Sequence, residues 1–265
     1  MKILIWTLKD ELSWLVFWTI AMGGYMCFSV ALYPAFSEMF ENMMISIPMV
    51  KVFLGPFAPE LMSSSLLDAF LGLEFFAWFG ILVSFYPLIY ASSTIVGEIE
   101  RGTMEILLAQ PISRSRVFLE KFTVISVNLA GLCTACFVIC LVAISVCVSE
   151  SPSVGRYAYT FLNSYFLLLV IAAFGFLCSV LISNQRSALS VSAGFVLFNF
   201  VFYKGLDAMG VAQWLTRLSP FYYADPIKIL ATGEVHWFNN FVLLLVAAII
   251  LSTALVLFQR KDIAS

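Results

Sequence analysis

Long apolar runs, interrupted by short charged clusters, set the rhythm of this chain. Charge-free stretches cover residues 13–37, 75–97, 122–149, 157–185, 187–203 and 237–259. An α-helix needs about 20 apolar residues to cross ~30 Å of hydrocarbon, and every run except the fifth clears that length. The fifth, of 17 residues, extends to Leu206 if Lys204 carries its ammonium out to the interface. The pattern therefore predicts six membrane-spanning helices, at about 13–36, 74–97, 115–148, 158–184, 187–207 and 237–259. An even number of crossings puts both termini on one side.

The segments between the runs differ in kind. Wound at 100° per residue, Leu4, Ile5, Leu8 and Leu12 share one face, with Thr7, Asp10 and Glu11 opposite. Residues 1–12 are therefore expected to form a helix lying in the membrane interface. Residues 38–74 carry Pro48, Gly55, Pro56 and Pro59, which exclude one continuous helix and favour short interfacial ones. Residues 207–236 carry Pro220 and Pro226 among Trp214, Phe221, Tyr222 and Tyr223, aromatics expected at the depth of the lipid headgroups. No internal repeat is evident, and neither segment reads as a separate domain.

Composition agrees with this pattern. The chain is 62% hydrophobic and 11% charged, with a mean hydropathy of +0.99, whereas soluble domains are about 25% charged. An integral membrane protein folded as a single helical bundle follows. A net charge of −2, with no basic stripe, argues against nucleic acid as a partner. With both ends in the cytosol, Lys2, Lys9, Arg101, Arg114, Arg116, Lys121, Arg186, Arg260 and Lys261 fall on the cytosolic side. Lys51, Arg156, Lys204, Arg217 and Lys228 fall outside. Nine against five favours that orientation. A cleavable signal peptide is not expected, because Lys9, Asp10 and Glu11 cut the first apolar stretch short and the run after them is too long.

One stretch breaks the economy of charge. Residues 98–116, EIERGTMEILLAQPISRSR, hold three glutamates and three arginines between two apolar runs. Gly102 is expected to stop a helix and Thr103 to cap a new short one, with Glu105 complementing its dipole. Pro111 ends that helix, and Ser113 caps the third crossing. Met104, Leu107 and Leu108 share one face. The expected product is a helix-break-helix across the cytosolic ends of two spans, its apolar face on the bundle and Glu98, Glu100, Arg101 and Glu105 left for a partner in water.

The residues from Gly97 to Arg114 resemble the cytosolic loop of membrane subunits of ABC-2 type ATP-binding-cassette transporters. The shared pattern is acidic-x-Glu-Arg-Gly-Thr, then Glu-x-Leu-Leu, then Pro-x-Ser-Arg. The ending Phe258-Gln259-Arg260-Lys261-Asp262-Ile263 and the segment Leu218-Ser219-Pro220-Phe221 are similar to further, weaker features of that family. With six crossings and an interfacial N-terminal helix, the resemblance spans nearly the whole chain. It implies an all-α permease occupying residues 1–265 as a single transmembrane domain, in the cell membrane. It implies that residues 98–114 form a coupling segment in which Glu98, Glu100, Arg101, Gly102, Thr103 and Glu105 serve the contact with an ATPase. Two copies of that ATPase subunit and a second permease chain, identical or related, are implied as partners, and export is the implied direction. The phosphate cradle G-x-x-x-x-G-K-[ST] is missing from this sequence. No enzymatic activity and no cofactor are therefore expected in this chain, with ATP and magnesium on the partner subunit. The alternative is a non-transporting membrane subunit that relays ATPase motion to an extracytosolic partner, for which the 37-residue first loop is small.

Other chemistry has weaker support in the sequence. His236 is the single histidine and has no convergent ligand set, so an interfacial polar role is expected. An intramembrane enzyme or proton-driven carrier needs ionisable residues inside the bundle, and the six runs hold none. Cys133, Cys136, Cys140 and Cys147 share one face of the third span and Met39, Met43, Met44 and Met49 cluster outside. Soft ligands of this kind suit Cu(I), but small thiols at packing positions and adaptable methionines explain the pattern without a metal. Disulfides are not expected, since no cysteine falls in an outer loop. Thr19, Ser29, Ser84, Asn128, Thr134, Ser179 and Asn199 are polar positions within spans. Each is expected either to face a pathway or to bond between helices, and the substrate-binding residues stay unassigned.

Overall fold

A computed structural model describes residues 11–46, 65–108, 112–148, 152–209 and 213–261. Within them there is no strand, and six helices are long and apolar enough to cross a membrane. Span 1 is α1 (Leu12–Ser46). Span 2 is a succession of α2 (Leu66–Leu71), a π-helical turn (Gly72–Phe76), α3 (Ala77–Thr94) and α4 (Val96–Glu100). After α5 (Thr103–Leu108) come span 3 as α6 (Arg114–Cys147), span 4 as α7 (Val154–Leu181) and span 5 as α8 (Gln185–Met209). Three short helices follow, α9 (Gln213–Thr216), α10 (Pro220–Tyr223) and α11 (Pro226–Thr232), before span 6 as α12 (Trp237–Arg260).

The second span departs from expectation. It begins at Leu66, eight residues before the predicted boundary at 74, because Ser65 caps it through the amide of Asp68 and Asp68 does not interrupt it. A carboxylate can sit inside a span when its charge is met within the protein, and Asp68 takes Arg156 and the Tyr157 hydroxyl from span 4. Residues 38–46 likewise continue span 1. Only 47–64 of the first outer segment is then left to the expected interfacial helices, and it lies outside the described residues, as does the N-terminal segment 1–10.

Aromatic pairs fix the antiparallel register of spans 1 and 2. Trp18 stacks on Tyr86, Tyr25 meets Phe75, and Tyr33 meets Phe70, so one chain climbs as the other descends. The Tyr25 hydroxyl donates to the Glu74 carbonyl, one of the groups near the π-helical turn. Spans 2 and 4 form the centre of the bundle: 61% and 72% of their most apolar windows are buried, against 17% for span 5 and 22% for span 6. Gly175 of span 4 permits that closeness, since a Cβ there would stand 3.0 Å from Leu88 and 3.2 Å from Ala91.

At the end of the bundle opposite α5, the 213–236 segment caps the helices rather than lying free on the membrane. Ser219 and Asp225 start α10 and α11 with their side-chain oxygens, each with proline at the first helical position. Gly233, at φ 66°, closes α11. Trp214 is 68% exposed, as expected of an interfacial aromatic, but Phe221 is buried against Phe200. The aromatics of this segment therefore divide between an outer rim and the core.

The polar residues within the spans mostly satisfy themselves. Ser29, Ser84, Thr134 and Ser179 each donate to the carbonyl four residues back, and Asn199 does so through its amide. Asn128 ties spans 2 and 3 together through its 3.0 Å bond to the Tyr86 hydroxyl, and Asn163 of span 4 is tied to Asn240 of span 6. Cys133, Cys136 and Cys140 are buried in the main apolar cluster, while Cys147 is exposed.

Candidate coupling site

The helix-break-helix forms where the sequence places it. Ile95 bends the chain out of α3, α4 runs only to Glu100, and Gly102 adopts φ 71°, a left-handed conformation that favours glycine. Thr103 stands at the first position of α5 rather than before it, and its hydroxyl donates back to the Glu98 carbonyl at 3.2 Å. It thus fastens the break by bonding the preceding helix instead of capping the following one. Met104 is fully buried and Leu107 packs against the same cluster, so the apolar face of α5 rests on the bundle. Ser113 caps span 3 through the Arg116 amide. Residues 109–111, and with them the expected stop at Pro111, lie outside the described residues.

The charged residues of the segment divide into two groups. Glu98 turns inward and its carboxylate accepts a 2.6 Å bond from Lys121 of span 3, whose side chain is 6% exposed. Glu98 is therefore occupied within the bundle rather than left to water. Glu100, Arg101 and Glu105 are exposed. Arg101 donates to the Ser93 carbonyl at 3.1 Å, and Glu100 accepts from Asn184 at 3.1 Å. Asn184 in turn starts span 5 by accepting from the Ser187 amide and hydroxyl, so one residue joins the coupling segment to the turn between spans 4 and 5. Gly97 brings that turn close: a Cβ would lie 2.7 Å from Gln185 Oε1 and 3.2 Å from the Ser92 carbonyl.

A second set of bonds closes the same end. Arg114 donates to the Lys261 carbonyl at 2.7 Å, Gln259 to Ser115 at 2.7 Å, and Lys261 to the Val180 carbonyl at 2.7 Å. Burial holds the Lys261 ammonium below the usual lysine range. The basic ending of the chain thus ties spans 3, 4 and 6 together beside the coupling segment.

Sequence reading missed Lys121, Asn184 and Asp68. Lys121 carried a signal: with Ser113 as cap it lies two turns inside span 3, too deep for a free ammonium. Asn184 carried one as well, in the spacing Asn-x-x-Ser before an apolar run. The buried charges Asp68, Lys121 and Asp225 also correct the expectation of a bundle interior free of ionisable residues. Each has an opposite charge within 3.3 Å, which marks ion pairing within the fold.

The arrangement is an element whose one side is bonded to three other parts of the bundle and whose other side presents charge. No curated protein matches the chain. A family model described as ABC-2 family transporter protein matches residues 12–263, nearly the entire length and all six spans. This chain therefore belongs to the ABC-2 family of transporter proteins, as a membrane permease subunit.

Proposed function

We propose that this permease moves its substrate outward across the cell membrane, driven by ATPase subunits that are separate chains and that dock on residues 98–108. Two ATPase copies and a second permease chain, identical or related, complete the transporter, and both termini of this chain face the cytosol. ATP and magnesium are held by the ATPase, in keeping with the lack of a phosphate-binding loop in this sequence.

The observation that carries this reading is the division of the segment into a bonded side and an exposed side. Met104 and Glu98 fix it to the bundle, while Glu100, Arg101 and Glu105 are exposed. A partner that pushes on the exposed side cannot slide the segment along the bundle. Separating Glu98 from Lys121 would leave a buried ammonium unpaired, so displacement passes to span 3 and, through Glu100 and Asn184, to the turn before span 5. Thr103 and Gly102 set the angle at which the force enters.

The test is to co-purify the chain with its cassette ATPase and compare ATP turnover with and without Glu100→Ala plus Arg101→Ala. Loss of the ATPase from the complex, or loss of permease-dependent turnover, is the expected result. Undiminished association together with undiminished turnover removes the coupling role. Neighbouring reading frames give a quick preliminary check, since a cassette ATPase encoded beside this chain is expected.

A further inference from the structure

We propose that the end of the bundle opposite the coupling segment carries a binding site for an oxyanion, a phosphate or carboxylate group. The site is a half-open pocket of about 360 Å³ where span 4 begins, lined by Ser153, Arg156 and Tyr159 on one side and Ile229, Gly233 and Val235 on the other. That volume lies within the range of small-ligand pockets.

The guanidinium of Arg156 is held through one of its three nitrogens. Its Nη1 donates to Asp68 at 3.2 Å and to the Leu230 carbonyl at 3.4 Å. Its Nε and Nη2 lie over Gly233, within 2.8 and 3.1 Å of where a Cβ would be, and no protein acceptor bonds them among the described residues. A Cβ at 233 would collide with this edge, so glycine is what lets the guanidinium lie here, and both residues line the pocket. The Nε–Nη2 edge is the one that grips two oxygens of a carboxylate or phosphate side by side.

Two hydroxyl-bearing residues line the same pocket. The Tyr159 side chain is more than nine-tenths buried and its hydroxyl has no hydrogen-bond partner among the described residues. The His236 main chain and the Asn240 side chain approach its oxygen, and neither meets hydrogen-bond geometry. Ser153 occupies the capping position of span 4, yet its buried hydroxyl caps nothing and is also unpartnered. A buried hydroxyl without an acceptor is costly to maintain, and an oxygen-bearing anion supplies acceptors for both. The amino-terminal end of the 28-residue helix adds its dipole. Asp68, on the far edge of Arg156, orients the guanidinium without occupying the pocket.

Two sources offer this chemistry, a phospholipid headgroup and a free anion. In detergent, the unfolding midpoint of the purified chain is titrated with inorganic phosphate. In parallel, lipid retention is measured by native mass spectrometry with phosphatidylglycerol and with an uncharged galactolipid. Saturable stabilisation by phosphate assigns a free anion; selective retention of phosphatidylglycerol assigns a lipid. In either arm Tyr159→Phe, which keeps the ring against Trp237, and Arg156→Lys, which keeps the charge beside Asp68, are expected to weaken binding by about tenfold. A change of more than about threefold in either variant supports the site. Affinities within that limit in both variants, or no saturable binding in either arm, overturn it. Because the readout is binding, not ATP turnover, failure here is distinguishable from failure of the coupling reading.

Discussion

At the coupling end, Glu98 is 22% exposed against Lys121, and its neighbours Glu100 and Arg101 make one bond each to the bundle while remaining in solvent. At the opposite end the side chains of Asp68 and Asp225 are only 5% and 4% exposed, and each is bonded several times. Asp225 accepts from Tyr203, Lys204 and the Ile227 amide; Asp68 accepts from Arg156 and Tyr157. The two ends contain similar residue types used differently. Buried carboxylates with full complements of donors staple short helices to the spans and fix the shape of that end. Half-exposed charges at the other end hold an element in place while leaving it a surface to offer. The difference lies in how many partners each charge has inside the protein, which decides whether it is a fastening or a handle.

The comparison breaks most visibly at Asp225. Asp225→Ala removes the cap of α11 and leaves Lys204 and Tyr203 without their acceptor. We expect a loss of about 3 kcal/mol, a fall in Tm on the order of 6–12 °C, measured by thermal unfolding in detergent. Asp225→Asn, which can still cap, is expected to lose less. If both substitutions leave Tm unchanged, the outer end is not stapled by this residue.

Glu98→Ala comes next, at about 1–3 kcal/mol, because Lys121 is left buried but close to an end where water can reach it. The exchange Glu98→Lys with Lys121→Glu is expected to restore part of both stability and permease-dependent ATP turnover. Equal defects in the single and exchanged variants would show that the pair is not an independent bond. Gly97→Ala is expected to cost about 1 kcal/mol, since the new Cβ presses on the Gln185 side chain and the Ser92 carbonyl. Gln185→Ala should relieve the first of those contacts and recover part of the loss. At the bottom of the scale, Arg116→Ala breaks an i,i+4 pair with Glu120 in which the arginine is 60% exposed, and a change under about 0.5 kcal/mol is expected.

How much was legible in the sequence follows from which forces are local. Gly102 and Ser113 could be read because a left-handed turn and a helix cap depend on neighbours within a few residues. The start of span 2 could not, because Asp68 reads as a boundary until Arg156 and Tyr157, 88 and 89 residues away, are known to meet it. Thr103 shows the limit at close range: its residue type fits a cap, but its hydroxyl found the Glu98 carbonyl on the other side of the break.

The sequence by itself determined that this is a six-span helical membrane protein with a charged break between spans 2 and 3, since hydrocarbon forces unbroken apolar helices and a glycine-marked turn is a local event. Only the tertiary structure decided that spans 2 and 4 form the centre, that Glu98 belongs to Lys121, and that Arg156 lines one pocket with two unpartnered hydroxyls. Those outcomes depend on which distant segments pack together, and an ion pair or a pocket exists only once they have.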